Sequence, residues 1–128
     1  LIDILSSIKT ISYGNDYIFG SLIKKMGIDV KHIDNQVLID NIDENQIFIK
    51  KTHNALDNLI SSYNNKIIKK HSISILKAYM ILDNLLLKNV FVKITDLYRN
   101  LLKRNLYRKD PNLFLFDLYR LNYLCKIK

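Results

Sequence analysis

The sequence has few of the residues that cross-link or interrupt a chain. Its 128 residues include one cysteine, one proline, three glycines and no tryptophan. The single cysteine, Cys125, excludes a disulfide bond within the chain, and chains without disulfides are typical of reducing compartments. We therefore expect an intracellular location. The scarcity of proline and glycine also favours helices over a loop-rich fold.

Long apolar runs and complete catalytic motifs are also missing. The longest apolar runs, such as 85–87, are far shorter than the roughly 20 residues that a membrane-spanning helix needs. The amphipathic first eleven residues do not resemble a signal peptide. The sequence contains no phosphate-binding loop, dinucleotide-binding glycine motif, serine-hydrolase motif or zinc-protease motif. We therefore expect no membrane span, no cofactor and no catalytic activity.

No group of side chains has the spacing of metal ligands. His32, His53 and His71 lie 21 and 18 residues apart, with no cysteine pair nearby. The acidic segment 40–44 lacks the alternating ligands and the glycine of a calcium-binding loop. Cys125 lies in an apolar segment, so we expect a buried structural thiol rather than a reactive one. The sequence predicts no metal site.

Composition and length are those of a folded domain. Hydrophobic residues make up 48% of the chain, enough to bury a core, and 128 residues suit one domain or two small helical lobes. The sequence begins with Leu1 rather than Met, so we expect it to be part of a longer protein. We predict an N-terminal helical segment of unassigned role over 1–44. A helical lid and a basic, winged-helix-like region follow over 45–128, and the two parts form either separate units or one continuous domain.

Positive charge is concentrated in the second half of the chain. Residues 1–60 contain six lysines and eight acidic residues, a net charge of −2, whereas residues 61–128 contain fourteen basic and four acidic residues, a net charge of +10. A codon bias towards lysine and asparagine would affect both halves alike, so the asymmetry needs another cause. A one-sided basic field attracts polyanions, chiefly nucleic acid. The alternative is a solvated basic surface without a specific partner.

Apolar residues at three- and four-residue spacing predict a mainly α fold. The predicted helices are 1–13, 16–26, 44–62, 73–87, 95–104 and 111–122. Short strands are predicted at 90–93 and 123–127, and a third strand, or a loop held by apolar side chains, within 28–40. The helix over 95–104 is expected to bury Leu97, Tyr98, Leu101 and Leu102. The predicted fold is a helical bundle followed by a winged-helix-like, helix-turn-helix unit with short strands.

The order of elements after residue 73 is that of a winged helix: helix, strand, helix, turn, helix, strand. Its presumed recognition helix, 111–122, offers only Arg120, Asn112 and Asn122 to read bases, so binding is expected to be electrostatic and shape-driven. Tyr98 and Tyr107 are interleaved with the cations of the middle helix and the turn after it, where Arg and Lys contact phosphates. The predicted nucleic-acid contacts are Lys66, Lys69, Lys70, Arg99, Lys103, Arg104, Arg108, Lys109 and Arg120.

Two stretches, SILKAYMILDNLLLKNVFVKITDLYRNLLKRN and NLFLFDLYRLNYLCKIK, resemble the C-terminal winged helix of the replication initiators. This family comprises the AAA+ subunits of the origin recognition complex, the helicase-licensing factor and the archaeal initiators. The helix over 44–62, with Thr52-His53-Asn54-Ala55, is similar to the AAA+ lid helix that precedes it. The resemblance covers about residues 45–128 and rests on hydrophobic spacing. It implies a nuclear protein whose DNA-facing end acts on duplex DNA together with protein partners.

Two other classes of function remain open. A helical protein–protein interaction module, such as a viral or organellar adaptor, would present a groove to a partner helix. A basic subunit of a ribonucleoprotein particle would bind RNA instead of the favoured duplex DNA. The Walker motifs of the AAA+ family are absent, so no nucleotide site is predicted.

Overall fold

A computed structural model describes residues 13–31, 33–35, 44–68 and 73–127. Within these ranges all regular structure is α-helical, which confirms the mainly α class. The helices are α1 (Asn15–Lys25), α2 (Asn45–Asn64), α3 (Ser74–Asn84), α4 (Lys88–Leu97), α5 (Arg99–Leu106) and α6 (Leu113–Lys126).

The C-terminal helix α6 is the element on which the others pack. It contacts α2, α3, α4 and α5, while α1 packs on α2. The side chain of Leu124 on α6 is fully buried, as are Leu56 and Leu59 on α2 and Leu76 on α3. Two residues of α1, namely Ile18 and Leu22, belong to the same core cluster. The described parts before and after residue 44 therefore share one core.

Two predicted strands are wrong. Residues 90–93 lie within α4, and the predicted strand over 123–127 lies within α6 apart from its last residue. The β preference of Val90-Phe91-Val92 is weak and depends on context, so the packing of α4 against α6 overrides it. Without these strands no wing forms, and the winged-helix prediction is contradicted over the described part of the chain.

The remaining predicted elements have mixed outcomes. Residues 28–31 and 33–35 have no regular structure, and 36–40 lie outside the described residues, as does most of the helix predicted over 1–13. The predicted end of the helix over 16–26 is confirmed to within one residue, and Gly27 follows it. Its φ of 66° lets the N–H of Ile28 donate to the carbonyl of Ile23, 3.3 Å away, which closes α1.

The helix predicted over 95–104 is interrupted, and its buried face is only partly as expected. Tyr98, with φ −95° and ψ 12°, separates α4 from α5. Because α5 is anchored on its other side by Leu102, Asn105 and Leu106, only Leu102 of the four predicted core residues is buried. Leu97, Tyr98 and Leu101 are exposed instead.

A pair of asparagines holds the turn between α5 and α6. The buried Asn105 side chain donates to the carbonyl of Asn112 at 2.9 Å and accepts from its N–H at 2.8 Å. The Asn112 side chain in turn accepts from the N–H of Leu115 and caps α6. The helix predicted over 111–122 therefore begins after its cap Asn112, and the turn after α5 has a fixed geometry.

A stack of three rings joins α2 to α6. The His53 ring lies parallel to the Tyr123 ring with 3.8 Å between centroids, and its Nε2 is 2.7 Å from the Tyr119 hydroxyl. The Tyr123 hydroxyl donates to Asp57 at 3.1 Å. Burial lowers the pKa of His53 below its ordinary value of 6.5, and the nearby Asp57 carboxylate only partly opposes this effect. The folded state therefore prefers a neutral His53.

Protonation of His53 should destabilise the fold. Because its pKa is lower in the folded than in the unfolded chain, the unfolded state binds more protons as the pH falls through 6.5, and stability is lost there. We expect the free energy of unfolding, from urea titrations between about pH 7.5 and pH 5, to fall more steeply for the wild type than for His53→Phe. Parallel curves for the two proteins would contradict a neutral, stacked His53.

Replacing Gly14 by alanine should destabilise the protein. Gly14 has a φ of 87°, and a Cβ at this position would lie 2.9 Å from the Cα of Ala55 on α2. Strain and overpacking together should cost about 1–3 kcal/mol in urea unfolding. Gly20→Ala is the matched control, because Gly20 is helical and has nothing within 4 Å of an added Cβ. That control should be neutral or stabilising by up to about 1 kcal/mol, so equal losses in both variants would contradict the close approach of Gly14 to α2.

Candidate nucleic-acid interface

Five of the predicted phosphate contacts meet on α5 and the turn after it. They are Arg99, Lys103, Arg104, Arg108 and Lys109, which we term the α5 basic surface; all five are exposed. The opposite side of α5 packs on α6 through buried side chains that recur at three- and four-residue spacing. The anchoring of α5 on one side therefore presents its cations to solvent on the other.

The salt bridges among the described residues involve cations that lie outside the α5 basic surface. Asp83 pairs with Lys88 at 2.8 Å, Asp117 pairs with Arg120 at 3.1 Å, and Asp96 pairs with Lys126. The hydrogen bond from Lys126, more than the nearby Arg99, lowers the pKa of Asp96. Three of the four acidic residues after position 60 are thus paired with cations outside the α5 basic surface.

Four of the five cations of the α5 basic surface lack a carboxylate partner among the described residues. Over the described ranges, Lys103, Arg104, Arg108 and Lys109 take part in no salt bridge. Asp110 is the acidic residue nearest to them in sequence, and it is exposed in the turn that follows. The surface therefore carries a net positive charge, and an anion approaching it does not have to displace a carboxylate.

Two open grooves cross this surface. The first, of about 670 Å³, is lined by Leu97, Tyr98, Asn100, Leu101, Arg104, Asn105, Arg108 and Leu115. The second is lined by Asn100, Lys103, Arg104 and Tyr107. Because Asn100 and Arg104 line both grooves, the two are adjacent, and cations lie along them.

The first groove is apolar as well as basic. The side chain of Leu97 is 83% exposed, and Tyr98 and Leu101 are more than half exposed. Sequence analysis predicted these residues in the core, so it found the cations of this surface and missed the groove. The interruption at Tyr98, which turns the leucines outwards, has no clear signature in the sequence.

The three candidate base-reading side chains have partners within the protein. Arg120 donates to Asp117 and, at 3.3 Å, to the Tyr17 hydroxyl. Asn122 is buried and donates to Thr95 and to Asp96, and Asn112 caps α6. These three side chains are therefore engaged in contacts within the protein and lie outside the α5 basic surface. The face of α6 that carries Asn122 and Leu124 packs against other helices, so this face is not free to act as a recognition surface.

The other predicted basic contacts lie away from α5 or outside the described residues. Lys69 and Lys70 lie outside the described residues. Lys66 is exposed just after α2, whose last residues line a pocket with Ile127 at the C-terminal end of α6. The α5 basic surface faces the opposite end of α6, at Leu115. A helix of this length spans roughly 20 Å, so Lys66 is not part of the same surface.

Other kinds of site have little support in the described part of the chain. None of its His, Cys, Asp and Glu side chains form a group of three that could hold a metal ion. No helix found there combines the length and apolar character needed to cross a bilayer. Cys125 is half-buried on α6, and burial raises the pKa of its thiol to about 11.

The raised pKa predicts a sluggish thiol. Because the thiolate is the reactive form, folded Cys125 should react with an aromatic disulfide reagent at pH 8 at least about tenfold more slowly than in the urea-unfolded chain. Absorbance of the released thiolate would measure both rates. Comparable rates in the two states would contradict the burial of the sulfur.

Comparison with known proteins gives no relative: no protein-family model matches the chain, and no curated protein or solved structure is significantly similar to it. The resemblance to replication initiators therefore stays an untested prediction, and the interface rests on its own geometry.

Proposed function

We propose that this chain is a non-catalytic nucleic-acid-binding domain whose α5 basic surface contacts backbone phosphates without reading base sequence. The observation that carries this proposal is the group of exposed cations on α5 and the turn after it. Among the described residues, no carboxylate forms a salt bridge with Lys103, Arg104, Arg108 or Lys109. Arginine presents a fork of N–H donors that matches phosphate oxygens. Neutralised phosphates release condensed counterions, which drives binding of any sequence.

Phosphate binding by this surface does not require a winged helix. The side chains on α6 that could have read bases are hydrogen-bonded within the protein, which supports a sequence-independent mode. Phosphate contacts alone fix position on a nucleic acid and carry no base information.

A helical protein partner is the second candidate, and the exposed leucines favour it. Leu97 and Leu101 are 83% and 52% exposed beside Arg104 and Arg108. Contiguous exposed apolar side chains mark binding surfaces. A partner helix with apolar residues on one face and acidic residues beside them would match this groove.

Removing two arginines should separate phosphate binding from general charge attraction. Arg104→Ala with Arg108→Ala should weaken binding to all nucleic-acid sequences alike, because two phosphate contacts are lost. On duplex DNA the slope of log affinity against log salt should flatten by up to about two units. Fluorescence anisotropy of labelled oligonucleotides between roughly 50 and 200 mM salt measures both quantities.

The matched control removes the same charge elsewhere. Lys50 on α2 and Lys77 on α3 are exposed and lie outside the α5 basic surface. Lys50→Ala with Lys77→Ala lowers the net charge equally and should leave affinity and salt slope nearly unchanged. If both double variants behave alike, the α5 basic surface is an ordinary solvated face and the proposed function is wrong.

A further inference from the structure

The α5 basic surface combines cations with an apolar groove, and phosphates alone do not account for the groove. Its apolar side chains are Leu97, Tyr98, Leu101 and Leu115, with Arg104 and Arg108 lining it as well. A double helix keeps the faces of its bases stacked inside and meets a protein mainly through its phosphates and the edges of its bases. Duplex DNA would thus leave the apolar side chains without a partner.

An unpaired base offers an apolar surface that can cover the apolar side chains of this groove. Its flat faces are apolar and stack on aromatic side chains, whatever the base. The groove volume of about 670 Å³ falls within the roughly 300–1,000 Å³ of sites that hold small molecules, which leaves room for an unpaired base. The cations that line the groove complement the phosphates on either side of such a base.

Two tyrosines are available for stacking. Tyr98 and Tyr107 are 58% and 54% exposed, and neither hydroxyl has a hydrogen-bond partner among the described residues. The hydroxyls of Tyr17, Tyr79, Tyr119 and Tyr123 make hydrogen bonds between side chains. Tyr13 and Tyr63 lie outside the two grooves. Tyr98 and Tyr107 line the two adjacent grooves on either side of Arg104. A phosphate on Arg104 would therefore have a stacking surface on each side.

We propose that the α5 basic surface binds single-stranded nucleic acid, with unpaired bases against Tyr98 and Tyr107 and phosphates on Arg104 and Arg108. This inference rests on the proposed function and narrows it from any nucleic acid to unpaired strands. Duplex DNA, which the sequence analysis favoured, binds more weakly through phosphates alone. Single-stranded RNA and DNA share the recognised chemistry, so the experiment includes both.

Loss of the two aromatic rings tests the stacking. Because both tyrosines are exposed, Tyr98→Leu with Tyr107→Leu keeps an apolar surface and should leave the fold intact, which circular dichroism checks. Affinity for a labelled oligothymidine or oligouridine should fall about tenfold or more, as expected for two lost stacking contacts, while affinity for a duplex changes less than about twofold. Phe114→Leu is the control, since Phe114 is a 70% exposed aromatic residue on α6 outside the grooves and its loss should affect neither ligand.

A fluorescent reporter gives a second readout. The chain contains no tryptophan, so Tyr98→Trp introduces a unique fluorophore at the groove and Phe114→Trp introduces one away from it. Stacked bases should quench the fluorescence of the Tyr98→Trp variant on titration with either single strand, whereas duplex should quench it little. The fluorescence of the Phe114→Trp variant should not respond.

The possible outcomes separate this inference from the function on which it rests. If single strands and duplex bind equally and the tyrosine variant binds as the wild type does, the stacking inference is overturned, while a weakened Arg104→Ala, Arg108→Ala variant still supports phosphate binding. If no nucleic acid binds, both fail. A fluorescence response of the Tyr98→Trp variant to an acidic amphipathic peptide, with none to nucleic acid, would also overturn both and assign the groove to a protein partner.

Discussion

The packing of α6 against four other helices is the constraint on which the rest of the structure depends. This helix contacts α2, α3, α4 and α5, and its Asn122 and Leu124 are buried. The face of α6 that carries these two residues cannot enter a groove of DNA, because its core contacts would have to be broken. An exposed binding surface must therefore lie on a helix that meets the core on one side only. Among the helices around α6, α5 meets this condition and also carries a cluster of exposed cations.

The polar contacts of α6 determine where positive charge remains. Asp96, just before α5, is held by Lys126 and Asn122 of α6, and Asp117 is held by Arg120 on α6 itself. Exposed ion pairs of this kind contribute little to stability, with a median of about 0–1 kcal/mol. Their larger effect is on the electrostatic field, since each of these carboxylates is bonded to a cation outside α5 and only Arg99 of the α5 basic surface lies near one of them. The α5 basic surface thus keeps a net positive charge.

The sequence allows the helices to be predicted wherever local pattern and tertiary packing agree. Helical spacing predicts α2, α3 and α6 to within a few residues, and the cations of the segment 99–109 are evident in the sequence itself. Strands were predicted at 90–93 because β-branched residues cluster there, yet the packing of α4 on α6 decides the conformation. The outward face of Leu97 and Leu101 could not be predicted, because it depends on a helix break at Tyr98 and on the anchoring of α5 by Leu102 and Leu106.

The helix break at Tyr98 leaves two leucines exposed, and this exposure costs stability. A buried leucine side chain gains about 1.5–3 kcal/mol over an exposed one, so the exposure of Leu97 and Leu101 forgoes part of the stability that the sequence could supply. A basic helix that is merely solvated needs no exposed leucines, since lysine and arginine already keep it in water. Arg104 and Arg108 lie beside these leucines in one groove, and phosphates would satisfy the cations without covering the apolar side chains. A ligand with both anionic and flat apolar parts satisfies both at once, because it covers the leucines while it neutralises the arginines.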